Sequence, residues 1–195
     1  MGSHMENKSA KLKTAQKAKP SRFRIGDLAV YPAHGVGRIE AIESREINGE
    51  SHDFYIMKVL ENDMVIMIPT WNVDSVGLRD IISKKDIPKV YDVMRRKQED
   101  ALGEGQTWNR RYREYMEKIK TGSLFDVAEV FRDLSLLKVT KDLSFGERKL
   151  FDTAQTLLVK ELSTARKTDE ASIAAELEAL FAQPKEDHPP TLEAG

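Results

Sequence analysis

The 195-residue chain carries 31 Lys and Arg against 32 Asp and Glu, with 40% hydrophobic residues and no cysteine. That composition permits a core in one domain or two small ones, and it excludes disulfides and thiolate metal sites; no run approaches the roughly 20 apolar residues that a bilayer span needs. The near-zero sum hides opposite ends: seven Lys or Arg against Glu6 between residues 5 and 24, and seven Asp or Glu against Lys185 between residues 168 and 195.

The opening MGSHM reads as a vector scar, and the rest of residues 1–22 as a basic disordered tail, because Lys, Ala, Ser and Gln leave almost nothing to bury against the entropy of ordering. From Phe23 the chain turns to short β-branched and aromatic runs, predicting strands at 28–31, 37–47, 52–60, 64–68 and 73–76. Asn48-Gly49 is the strongest hairpin signal, since both central residues of a tight type I′ turn need positive φ, and Glu61-Asn62-Asp63 closes a second hairpin. These runs describe a small, strongly bent antiparallel sheet or barrel. Its fourth strand is apolar on both faces, with Val65 and Met67 on one and Ile66 and Ile68 on the other. One face fills the core; the other is either covered by the second half or offered to another chain. Pro69 ends that strand.

Helical signals follow. Asp86 is placed to cap a helix with Pro88 in its first turn, running through Val90, Tyr91 and Met94 to Arg96, and 99–106, with Gly103 and Gly105, is expected to be a flexible link. Residues 107–120 read TWNRRYREYMEKIK, and Gly122 stops that helix. Ser123 with Asp126 resembles a capping box for a helix carrying Phe125, Ala128, Phe131 and Leu134 or Leu136. Ser144 with Glu147 is a full box for one carrying Leu150, Phe151, Ala154, Leu157, Leu158 and Leu162. Asp169 caps a last helix to about Phe181, and 183–195 is expected to be a disordered acidic tail.

The segment 107–120 carries the chemistry. Trp108, Tyr112, Tyr115, Met116 and Ile119 share one helical face, flanked by Arg110, Arg111, Arg113, Lys118 and Lys120 against only Glu114 and Glu117. Two readings stand side by side. An indole at helical spacing belongs in a core, with the charges solvated. Alternatively, arginines hold phosphates while an apolar wedge enters a base step, and Trp108 sits in the first turn, where no preceding turn covers it. Enzymatic signals are lacking: His34, His52 and His188 have no metal-ligand spacing, Gly35-Val36-Gly37 is no dinucleotide fingerprint, and neither a phosphate loop nor GxSxG occurs. The expectation is a non-enzyme with no cofactor, no metal and no catalytic residue, located in the cytoplasm.

IGDLAVYP at 25–32 with His34 and Gly35 resembles the opening of the CarD/CdnL family of bacterial RNA polymerase-binding transcription regulators, and Gly77-Leu78-Arg79-Asp80 resembles the end of its first domain. TWNRRYREYMEKIKTGS at 107–123, AEVFRDL at 128–134 and LSFGERK at 143–149 are similar to its helical domain, in its CdnL branch. The resemblance implies an α+β protein: at 23–80 a five-stranded Tudor-like antiparallel β barrel that binds the RNA polymerase β subunit, and at 81–182 an all-helical domain of about five helices. The helical domain would contact promoter DNA in the minor groove at the upstream edge of the melted region. Trp108 matches a wedge that holds the open complex, Arg110 and Arg111 a phosphate-contacting pair, Met116 a further contributor, and Arg148 with Lys149 basic residues on a later helix. Arg45, Met67 and Pro69 match the polymerase contact, although Met67 stands where the mycobacterial branch has an arginine, which makes that contact apolar here. The implied protein is a nucleoid-associated monomer that binds no membrane. The first domain alone also resembles the polymerase-binding module of the transcription-repair coupling factor; the helical half does not. The competing class is an adaptor linking polymerase to a second protein, with Trp108 in the core.

Overall fold

The computed structural model describes residues 22–96 and 107–182. The expected basic tail before Arg22, the expected link at 99–106 and the acidic tail at 183–195 lie outside the described residues.

Five strands, β1 (Leu28–Tyr31), β2 (Gly35–Ile47), β3 (Glu50–Val59), β4 (Val65–Pro69) and β5 (Arg79–Asp80), form an antiparallel sheet in the order β4-β3-β2-β1-β5. The β2–β3 turn has Asn48 and Gly49 at φ +53 and +80, as the type I′ signal requires, and Ile47 pairs with Glu50 across it. A register shift between Ile39 and Ala41 bends β2. The strand expected at 73–76 is not formed. Val76 N donates to Asn72 O and Leu78 N to Val73 O, so this segment satisfies its backbone within a turn, and Val73 is buried without a ladder. Arg79–Asp80 supplies the fifth strand instead, on β1. Phe23, Ile39, Tyr55, Met57, Ile68 and Leu78 fill the sheet's inner face.

The helices are α1 (Ile87–Arg95), α2 (Trp108–Thr121), α3 (Leu124–Thr140), α4 (Phe145–Arg166) and α5 (Glu170–Ala179). Their starts follow the caps in part. Ser144 Oγ accepts from Glu147 N while the Glu147 carboxylate accepts from Ser144 N at 2.8 Å, completing a capping box, and Asp169 accepts from Ser172 N at 2.8 Å. Ser123 accepts from Asp126 N, but the Asp126 carboxylate takes the Thr121 hydroxyl at 2.7 Å and does not reach back. Asp86 does not cap with its side chain, because Ser83 and Lys89 occupy its carboxylate, each at 2.7 Å. Gly122 ends α2 at φ +75. The helical core gathers around Phe131, which stacks on Phe151 at 5.2 Å, with Leu134, Leu158, Leu162 and Ile173 fully buried. Each such burial stabilises by about 1.5–3 kcal/mol. The two halves meet where α4 packs on β2. No helix among the described residues is long and apolar enough to cross a membrane, and none of those residues form a cluster that could hold a metal ion.

Candidate nucleic-acid interface

The first turns of α2 and α4 lie together. Thr107 is extended at φ −67 and ψ 150, so Trp108 begins α2 and its side chain turns onto the neighbouring helix start. The contact depends on Gly146: a Cβ there would come within 3.1 Å of Trp108 Cζ2. The indole also meets the Tyr112 ring edge-on at 5.6 Å. Trp108 is therefore half-buried, with one edge against the rim of the helical core and the rest open. The core reading of its wheel position accounts for the packed part of the indole only.

Beside it stands Phe145, 86% exposed, the first residue of α4. A phenylalanine this bare adds nothing to the packing of the helical core. The sequence signal was there: Phe145 falls outside the stripe begun by Leu150, Phe151 and Ala154, but its place inside a capping box concealed it.

The cations expected at the interface divide. Arg148 and Lys149 are exposed on the turn after Phe145 and form no ion pair among the described residues, where they edge a cleft of about 450 Å³ between α4 and the β1–β2 turn. Arg110 is exposed but pairs with Glu114 at 3.1 Å. Arg111 is half-buried on the α2 flank that faces α3, and its Nε is enclosed without a partner. Met116 is half-buried against the helical core. Lys118 is taken by Glu129 at 2.7 Å. The structure thus seats Trp108 on Gly146, whose neighbours Phe145, Arg148 and Lys149 line one cleft, while Arg110 is exposed on α2 and Arg111 and Met116 are half-buried.

Beneath α2 lies a polar cluster that sequence reading missed. Asp133, 4% exposed, is gripped by Arg132 at 2.8 Å, and Arg132 also donates to Val93 O. Burial, opposed by Arg132, holds the Asp133 carboxyl above its ordinary range, and burial with the Asp133 charge pushes the Tyr115 phenol up. Tyr115 therefore stays neutral and buried, packing α2 onto the helical core.

A second exposed face lies on the sheet. The register puts Arg45 opposite His52, Phe54 opposite Pro69 and Ile56 opposite Met67, so Arg45, Pro69 and Met67 share the outer face. β4 is an edge strand whose Val65 and Met67 are 61% and 45% exposed, so the helices do not cover it. Trp71, unforeseen from the sequence, extends the patch at 58% exposure, tilted against His52 at 4.7 Å and edge-on to Phe54 at 5.2 Å. Arg45 is exposed and paired with Glu43 at 2.8 Å.

Two family descriptions match this chain: the CarD-like/TRCF RID domain over residues 23–82 and the CarD C-terminal domain over 89–178. A putative transcription factor of Bacillus subtilis, YdeB, is 35% identical over 151 residues, spanning 77% of this chain and 97% of that one. The transcription-repair-coupling factor of the same organism is 31% identical over 137 residues, which cover 70% of this chain and 10% of its own. That similarity is longer than the first domain, so it is not confined to that domain as the motifs suggested. Among solved structures, CdnLNt from Myxococcus xanthus is 42% identical, spanning 43% of this chain and 97% of that one at a TM-score of 0.28. The N-terminal domain of Myxococcus xanthus CarD is 34% identical, spanning 40% and 93% at a TM-score of 0.26.

Proposed function

The chain belongs to the CarD family of transcription factors that interact with RNA polymerase, and from that premise we propose that it bridges polymerase and promoter DNA so as to prolong the open complex. In this reading residues 23–80 dock on the polymerase β subunit through the outer face of β4, with Met67, Pro69 and Arg45 assisted by Val65 and Trp71. Residues 81–182 touch the minor groove at the upstream edge of the bubble. Trp108 and Phe145 wedge against an opened base step, Arg148, Lys149 and Arg110 hold phosphates, and Arg111 and Met116 support the wedge from below. The protein acts as a cytoplasmic, nucleoid-associated monomer and catalyses nothing.

The observation that carries the reading is the packing of a half-open Trp108 on the start of α4, a turn that also carries a bare Phe145 and, just after it, two cations with no ion pair among the described residues. Helix N-termini favour phosphate, and aromatic side chains favour a step that is already unstacked. Binding to polymerase raises the local concentration of the helical half at the promoter, so weak contacts to DNA suffice. The test is fluorescence anisotropy at low salt on a duplex and on a pre-melted fork of the same sequence. Preference for the fork, lost in Trp108→Ala, supports the wedge; equal binding to both, or none to either, counts against it. The adaptor reading draws on the packing of Trp108 against the core, and it predicts the last of these outcomes.

A further inference from the structure

A bridge presents one partner to the other at the highest effective concentration when its own halves are held at a fixed angle, and side-chain contacts between the halves set one here. Arg79, on β5, donates through Nη1 and Nη2 to the two carboxylate oxygens of Glu161 on α4 at 2.7 and 2.9 Å, and through Nε to Gly122 O at the α2–α3 turn at 2.7 Å. The same carboxylate accepts from Ile82 N at 2.9 Å. One guanidinium thus joins the sheet, the end of α2 and the middle of α4, and the Glu161 side chain is only 3% exposed.

Two further contacts act in the same direction. Lys160, the residue before Glu161, reaches Glu61 in the β3–β4 turn at 3.1 Å and Glu170 at the start of α5 at 2.8 Å. Burial works against its charge, but the hydrogen bonds to Glu170 and Glu61 outweigh burial and hold its pKa above the ordinary value. Pro32, in the β1–β2 turn, sits between two glycines: a Cβ at Gly77 or at Gly122 would come within 2.9 Å of its Cγ. Both glycines have positive φ, so a side chain at either would also strain the backbone. Glu61 leads directly into the edge strand β4, and Gly122 closes α2, the helix that Trp108 opens.

We propose that Arg79 and Glu161 are positioning residues whose ion pair, seconded by Lys160 and Pro32, fixes the angle between the polymerase-facing edge and the DNA-facing helix starts. The inference rests on the bridging function proposed above. Neither residue lies on either exposed face, so loosening the pair leaves each binding surface intact and lowers only the effective concentration with which one partner presents the other.

The experiment has two arms. The chain has no cysteine, and Ser51 and Asp142 are exposed, so Ser51→Cys with Asp142→Cys carry spin labels on the sheet and the helical half. A single narrow distance distribution in the parent, broadened by Glu161→Gln, is expected; equal widths overturn the proposal. The second arm compares one polypeptide with itself, so folding is held constant. Glu61 and Lys160 both line the open cleft beside α4, so Glu61→Cys with Lys160→Cys in the Glu161→Gln background can be joined by a short bismaleimide. Before joining, its extension of open-complex lifetime is expected to fall at least about fivefold from the parent's while binding to forked DNA and to an isolated β-subunit fragment is unchanged; joining restores the lifetime. Full extension without the cross-linker overturns the proposal, as does no recovery with it. If the parent itself leaves the lifetime unchanged, the bridging function fails, and the distance distributions alone decide whether this joint is fixed.

Discussion

The outer face of β4 and the paired starts of α2 and α4 are both exposed and both aromatic, yet the charge around their aromatics differs. The sheet offers Val65, Met67 and Trp71 along β4, which pairs with no further strand among the described residues, and Arg45 on the same face is paired with Glu43. The helix starts offer Trp108 and Phe145, followed on α4 by Arg148 and Lys149, which form no ion pair among the described residues. Apolar surface along a free edge suits a protein and responds little to salt. Aromatic rings among unpaired cations suit a polyanion and respond steeply. The charge state around an exposed aromatic, more than the aromatic itself, separates a protein contact from a nucleic-acid contact.

The sharpest way to break this comparison is Met67→Glu. A carboxylate at the centre of the edge patch is expected to cost about 2 kcal/mol or more in polymerase affinity, roughly 30-fold, measured by titration against a β-subunit fragment. Binding to forked DNA should stay as it was; a parallel loss there would merge the two faces into one. Next comes the contrast between the two aromatics. Trp108→Ala is expected to lower stability by about 1–2 kcal/mol in denaturant titration, because half of the indole packs on Gly146 and the core rim, whereas Phe145→Ala should leave stability unchanged, and both should weaken fork binding.

Ser144→Ala removes one half of the α4 capping box and is expected to cost about 1 kcal/mol. The other half titrates. Burial raises the Glu147 pKa, but the backbone hydrogen bond from Ser144 and the Lys141 ammonium outweigh it and hold the carboxyl below its ordinary 4.5. A depressed carboxylate contributes stability that is complete above its unfolded value and lost as pH falls through the folded one. The difference in melting temperature between parent and Glu147→Gln should therefore be constant from pH 7 down to about 4.5 and shrink below that. The smallest effect is electrostatic: Arg148→Ala and Lys149→Ala should each reduce the slope of log affinity against log salt by about 1 on DNA, and neither should alter it for polymerase.

Much of the fold was legible from local chemistry. Asn48-Gly49, Gly122 and the Ser144–Glu147 box each prescribe their own backbone, and the structure follows them. The fifth strand was misplaced because Val73 and Val76 are apolar enough to suggest a strand, while the choice between ladder and turn was made by backbone bonds that composition does not encode. Asp86 looked like a cap because its competitors, Ser83 and Lys89, act through side-chain geometry. At the candidate interface, Trp108 could be picked out but its partner Gly146 could not, since their contact joins the starts of two helices separated by α3. Arg111 shows the limit of reading charge from a wheel: it is one residue from the exposed Arg110, yet the turn carries it to the flank shared with Tyr115 and Ile119. The Arg79–Glu161 joint, across 82 residues, carried no local signal at all.

The most direct test of the central claim is the lifetime of RNA polymerase open complexes on one housekeeping promoter, measured by competitor challenge without the protein, with the parent, and with Phe145→Ala and Trp108→Ala at saturating concentration. The account predicts a longer lifetime with the parent and a loss of that extension in both variants, with the melting temperature of Phe145→Ala unchanged. An unchanged lifetime with the parent, or a full extension by both variants, would contradict it.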